Sequence, residues 1–93
     1  MTTAPGTPSM TVQLRYFASL REALGPGGPL ELPVGTTVAQ ARSLLQSRDD
    51  AHARALAQGR PLRCAVDQVL CADEQRALSD GAELAFFPPV TGG

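Results

Sequence analysis

The last nine residues, Ala85 to Gly93 (AFFPPVTGG), hold the arrangement best suited to chemistry. Pro88 and Pro89 fix φ and lack a backbone N–H, so the chain beyond Phe87 leaves any sheet as an extended, stiff strap. At roughly 3.1–3.3 Å per residue, the six residues Pro88 to Gly93 reach about 19 Å. Gly92 and Gly93 have no side chains, so a carboxylate at the end of this strap can slide down a narrow tunnel and meet a nucleophile or ATP in another protein's site. An arbitrary Gly-Gly end is a frayed tail. Here the Pro-Pro spacer and the order of the elements that precede it favour a reactive probe.

Other reactive residue types are sparse. Cys64 and Cys71 flank Asp67-Gln68, and a two-residue turn there sets Val66 against Val69, Ala65 against Leu70 and the two cysteines opposite each other. That placement permits a disulfide. The lack of a secretory signal favours reduced thiols that serve as small buried apolar groups. His52 is the single histidine; it sits among Asp and Arg and reads as a surface residue with no role. Two Cys and one distant His do not supply the ligands of a structural zinc. No phosphate-binding G-x-x-x-x-G-K-[ST] run is present, and the GPGG run at 25–28 lacks the strand-then-helix setting of a dinucleotide site. All eight basic residues are Arg, so the chain offers no side-chain amine for acylation.

Ninety-three residues, 43% of them hydrophobic, make one small domain. With 18% charged residues and a net charge of −1, the chain lacks the basic excess of a nucleic-acid binder and the self-repulsion of a charged disordered segment. No apolar run approaches the roughly 20 residues of a membrane span, and Met1 to Met10 lack the parts of a signal peptide. A soluble, cytoplasmic protein with no membrane partner is expected. At about 0.05–0.15 kcal/mol per residue the fold is worth about 5–14 kcal/mol, which leaves little surplus for an elaborate buried active site and favours binding or carrying over self-contained catalysis.

The elements that position the tail follow from periodicity. Residues 1–9 are small, polar and Pro/Gly-rich, an expected disordered leader; residues 10–87 form the domain and 88–93 the tail. TVQLRYF (Thr11 to Phe17) alternates as a half-buried strand with Val12, Leu14 and Tyr16 inward. Ser19 is placed to cap a short helix through Leu24, GPGGP at 25–29 to turn, and Leu30 to Val34 to form an edge strand between prolines. Thr37 and Gln40 have capping-box spacing before the principal helix, which carries Val38, Ala41, Leu44 and Leu45. A short peripheral helix from a cap at Asp50 follows. Strands over 63–66 and 69–71 and, after the Asp80-Gly81 turn, over 83–87 complete the chain. The order, a hairpin, a crossing helix and then further strands, predicts an α+β fold: a mixed sheet with one principal helix on one face and the last strand beside the first, the β-grasp arrangement of ubiquitin.

Three stretches carry a specific resemblance: RYFASLREALG (Arg15 to Gly25), LRCAVDQVL (Leu62 to Leu70) and LSDGAELAFFPPVTGG (Leu78 to Gly93). Together they resemble the small subunits of molybdopterin synthase over essentially everything from Met10 onward, and the F-x-P-P-V-x-G-G ending discriminates far better than Gly-Gly alone. The chain departs from that pattern at Asp67, where Asn is expected, and in lacking Lys. The resemblance implies a ubiquitin-like sulfur carrier that is itself non-catalytic, with catalytic residues in a large subunit and a heterotetrameric synthase. It implies that Gly93, accompanied by Gly92, is adenylated by a ubiquitin-activating-type adenylyltransferase using ATP and Mg. A sulfurtransferase-supplied sulfur then makes the thiocarboxylate, which donates to cyclic pyranopterin monophosphate in molybdenum cofactor biosynthesis. No cofactor is expected on this chain. A thiamin-pathway sulfur carrier, whose tail lacks the Phe-Phe-Pro-Pro stretch, and a ubiquitin-like protein modifier are the alternatives.

Strand phase adds a docking surface. With Val12, Leu14, Tyr16, Leu84 and Phe86 inward, Phe17 and Phe87 fall on the opposite face, and Leu70 joins them if Val69 and Cys71 point inward. These three, continued by Pro88, Pro89, Val90 and Thr91, are the expected partner-binding residues.

Overall fold

The computed structural model describes residues 8–57 and 62–89. Strand β1 (Ser9–Tyr16) alternates residue by residue, with Met10, Val12, Leu14 and Tyr16 buried. It pairs antiparallel with β2 (Gly27–Pro33) and, on its other side, parallel with β5 (Glu83–Phe87). Beyond β5 lie β3 (Arg63–Val66) and β4 (Val69–Cys71), both antiparallel to their neighbours, giving the order β2-β1-β5-β3-β4. The strand that leads into the tail is therefore central, and the proline-bounded β2 is an edge.

Helices α1 (Ser19–Leu24), α2 (Val38–Gln46) and α3 (Asp50–Ala55) send Leu20, Val38, Ala41, Leu45 and Ala55 into the same cluster as Val12, Leu14, Leu84 and Phe86. All three helices thus cover one face of the sheet and leave the other open, which is the α+β, β-grasp architecture expected from the element order. The capping box of α2 forms as predicted. Thr37 Oγ1 accepts from the Gln40 N–H at 3.1 Å, and Gln40 Oε1 accepts from the Thr37 N–H at 3.0 Å.

Five local expectations are corrected. The 25–29 turn is shorter, because Gly27 already pairs with Arg15; its φ is +104°, and a Cβ there would lie 2.0 Å from the Leu14 carbonyl oxygen, so only glycine lets β2 begin so early. Ser19 is not a cap: Ala18 occupies that position at φ 56° with no side-chain hydrogen bond. The cap of α3 is Asp49, one residue before the expected Asp50. His52 is buried, at 8% exposure, because α3 lays its imidazole 6.2 Å from the Tyr16 ring. The Asp49 carboxylate accepts from both the backbone N–H and Nδ1–H of His52 at 2.8 Å, which holds its pKa below the usual carboxylate range. Nor is the α3 region merely peripheral, since Leu56 just beyond it is fully buried.

Candidate functional site

The exit of β5 and the open face of the sheet meet at one end of the molecule. Along β5, Leu84 and Phe86 are fully buried in the core, so period two turns Ala85 and Phe87 to the opposite face. Phe17, directly after β1, donates its N–H to the Phe86 carbonyl at 3.2 Å and so extends the ladder alongside the last residues of β5. Phe17 is 38% exposed, and Phe87, Pro88 and Pro89 are half-buried. Of the expected tail residues, Val90, Thr91, Gly92 and Gly93 lie outside the described residues.

Register places Arg15 beside Ala85, Ala85 beside Ala65 and Ala65 beside Leu70, a row crossing four strands. Ala85 and Ala65 are 4% and 9% exposed, yet neither belongs to the core cluster under the helices. They form the floor of a shallow dish on the open face, shaded by the larger side chains around them. Leu70, 59% exposed, stands at one end, and Phe87 occupies the adjoining row opposite Arg63. At the other end the Arg15 guanidinium lies 5.5 Å from the centre of the Phe17 ring and 4.0 Å from Glu83 Oε1. An apolar centre with Arg15, Arg63 and Glu83 around it has the composition of a docking surface, aromatic and apolar within and charged at the rim.

Leu70 therefore stands on the open face with Phe17 and Phe87, but the condition attached to it holds only in part. Cys71 packs against the core, whereas Val69 is 61% exposed, because β4 is a three-residue edge strand whose start lies beyond the cover of the helices. The alanine floor and charged rim were not singled out from sequence. The signal was present in the phase of Arg15, Ala65 and Ala85, all opposite to the core residues, but alanine carries too little hydrophobic weight to mark a face.

The hairpin that presents Leu70 is firmly held. Asp67 and Gln68 both take left-handed φ, 53° and 68°, as a two-residue hairpin turn requires. Asp67 is also bound to β5: its Oδ1 accepts from the Glu83 N–H at 3.0 Å, and its own N–H donates to the Glu83 carbonyl at 2.9 Å.

Little else on the described surface is chemically equipped. A concavity of about 660 Å³ along α2, lined by Thr36, Thr37, Gln40, Ser43 and Leu44 among others, has no titratable group in its lining. Among the described residues no group of three or more His, Cys, Asp or Glu is placed to hold a metal ion, and no helix is long and apolar enough to cross a membrane. Burial, with Cys71 and Glu74 nearby, pushes the Cys64 thiol up to about 12, so it is protonated at neutral pH.

The ThiS family matches residues 14–93, from the middle of β1 through the Gly-Gly end. The chain belongs to the ThiS family. Within it, this ThiS-family chain is 38% identical over 82 residues to the molybdopterin synthase sulfur carrier subunit of Escherichia coli (strain K12), a match spanning 88% of this chain and 99% of that protein. The resemblance carried by Arg15–Gly25, Leu62–Leu70 and Leu78–Gly93 is thus a family relationship. Its fold matches the solution structure of the Haloferax volcanii HVO 2177 protein, with a TM-score of 0.81 at 26% identity, covering 99% of this chain and 94% of that one. The same fold, at a TM-score of 0.62 and 23% identity, occurs in the protein–protein complex of subunits 1 and 2 of molybdopterin-converting factor from Helicobacter pylori 26695, covering 90% of this ThiS-family chain and all of its counterpart.

Proposed function

We propose that this protein is the sulfur carrier subunit of a molybdopterin synthase. The observation that carries the reading is the relationship to the Escherichia coli sulfur carrier subunit over nearly that protein's whole length, joined to a central strand β5 that ends in Pro88-Pro89. The strap leaves from a strand paired on both sides, so its root has a fixed place relative to a partner seated on the open face. Gly93 bears the reacting carboxylate, and Gly92 accompanies it in the partner's tunnel.

A carboxylate is a poor electrophile. Adenylation by a ubiquitin-activating-type partner, with ATP and Mg supplied there, turns one oxygen into part of a leaving group, and a sulfur nucleophile from a sulfurtransferase displaces AMP to leave the thiocarboxylate. That group retains its negative charge and is the better nucleophile, so its delivery to cyclic pyranopterin monophosphate on a large subunit completes the transfer. The chain itself contributes positioning and holds no catalytic side chain in this scheme. The complex of subunits 1 and 2 from Helicobacter pylori supports a large subunit as the synthase partner, and the pathway belongs in the cytoplasm.

The test is intact mass after co-expression with a cognate activating enzyme and sulfurtransferase. The expected product has one terminal oxygen replaced by sulfur, and deletion of Gly93 abolishes sulfur transfer while leaving the melting temperature unchanged. A carboxylate that persists with ATP and sulfur donor present, or a truncated chain that still supports molybdopterin synthesis, overturns the reading. A ladder of higher-mass protein adducts would identify a protein modifier instead.

A further inference from the structure

The hairpin that carries Leu70 holds a second chemical feature on its other face, and nothing in the proposed sulfur transfer uses it. Cys64 of β3 and Cys71 of β4 are register partners. Facing Cα atoms of an antiparallel pair lie about 4.5–5.5 Å apart, inside the roughly 4.4–6.8 Å that a disulfide spans. Both side chains turn toward the core, and both thiols are free. The Cys64 thiol donates to the Cys71 carbonyl at 3.4 Å, and the Cys71 thiol donates to the Asp73 carbonyl at 3.1 Å. Their environments differ: Cys64 is 2% exposed, while Cys71 is half-buried. A cavity of about 230 Å³ lined by Arg63, Cys64, Leu70, Cys71 and Glu74, among others, opens beside the pair.

We propose that Cys64 and Cys71 form a redox-active dithiol that small disulfides convert to an intramolecular Cys64–Cys71 disulfide. Cys71, the accessible member, attacks a disulfide RSSR as its thiolate, forming a Cys71–S–SR bond and expelling RS⁻, which takes up a proton. Cys64 gives its proton to solvent and attacks the Cys71 sulfur, and the second RS⁻ leaves and is protonated. Two protein thiols are oxidised and one small disulfide is reduced to two small thiols. The roles cannot be exchanged, because burial keeps Cys64 away from the oxidant and in its protonated form; it reacts only with a sulfur fixed beside it. Arg63 and Glu74 both line the cavity, so its charge is balanced and size and access, not charge, select the small disulfide. The new bond lies under the sheet, so Leu70, between the cysteines in sequence but on the opposite face, keeps its place in the dish.

The full chain is incubated with oxidised glutathione, quenched with iodoacetamide and analysed by intact mass and peptide mapping. The expected product is a monomer lighter by two hydrogens, with Cys64 linked to Cys71, that dithiothreitol reopens. Cys64→Ser is expected to stop at a single glutathione adduct on Cys71, and Cys71→Ser to stay unmodified. Should Cys64→Ser fail to fold, the wild type and Cys71→Ser decide. Retention of both thiols, a glutathione adduct that never closes, or disulfide-linked dimers would overturn the proposal.

Discussion

Arg42, on the inner side of α2, donates from Nη1 to Glu74 Oε2 at 3.0 Å, and this pair joins the principal helix to the segment between β4 and β5. The rest of the guanidinium faces the end of α3, with Nε to the Leu56 carbonyl at 2.8 Å and Nη2 to the Ala57 carbonyl at 2.7 Å. One side chain, 4% exposed, thereby satisfies two helix-terminal carbonyls and a carboxylate.

Replacing Arg42 by Met is expected to cost about 3 kcal/mol, because it leaves the Ala57 carbonyl and the Glu74 carboxylate without this donor, and the Leu56 carbonyl with Gln46 Nε2 alone, while adding only modest apolar contact. Glu74→Gln is expected to cost under about 1 kcal/mol, since that carboxylate is partly in solvent and the amide oxygen still accepts. Urea unfolding of the two variants measures the difference. Equal costs would show that the tie to Glu74, and not the carbonyl ties at the end of α3, carries the contribution of Arg42.

Gly27→Ala is expected to unfold the β1–β2 edge or cost upward of about 3 kcal/mol, since the added Cβ meets the Leu14 carbonyl oxygen at 2.0 Å. Gly28→Ala at φ +146° meets nothing within 4 Å and should cost only about 1 kcal/mol. Thermal melts of the pair separate steric closure from conformational preference.

Tyr16 hydroxyl is buried with no hydrogen-bond partner among the described residues, and desolvation pushes its pKa up to about 12. Tyr16→Phe is expected to leave stability at neutral pH unchanged or raise it by about 1 kcal/mol. Tyr16 and Cys64 both keep their protons to higher pH when folded than when unfolded. The unfolded chain then binds fewer protons, so the contribution of these two groups is constant from neutral pH up to about pH 8.5 and falls as pH rises toward 12, by up to about 1.4 kcal/mol per pH unit for each group. Chemical unfolding from pH 7 to 11 tests this, and Tyr16→Phe should flatten the upper part of the curve.

Phe87→Ala is expected to weaken association with a synthase large subunit by about 2 kcal/mol or more, and Ala85→Asp, which puts a charge on the floor of the dish, to abolish it. Leu70→Ala should cost less, because its side chain is already in water at the rim. Titration calorimetry against the large subunit decides; affinities unchanged by Phe87→Ala would remove the open face from the binding site.

The features legible from sequence are those set by near neighbours in the chain. Alternation along Val12, Leu14 and Tyr16, the Thr37/Gln40 box, the Asp67-Gln68 turn with its Cys64–Cys71 register, and the exit at Pro88-Pro89 each depend on residues a few positions apart, where backbone geometry and one or two hydrogen bonds decide the outcome. The tail's candidacy came from the same source, since Pro and Gly state their conformational limits without help from the fold. Only the tertiary structure decided what distant segments do to one another. His52 is buried because α3 crosses Tyr16, Gly27 is obligatory because Leu14 lies opposite it, and Arg42 is a core residue because the end of α3 and Glu74 converge on it. Ala65 and Ala85 come to lie side by side on the open face only because β5 lies between β1 and β3. Burial is a property of the assembled sheet, and period two names the two faces of a strand without saying which neighbours will shade a small side chain on the open one.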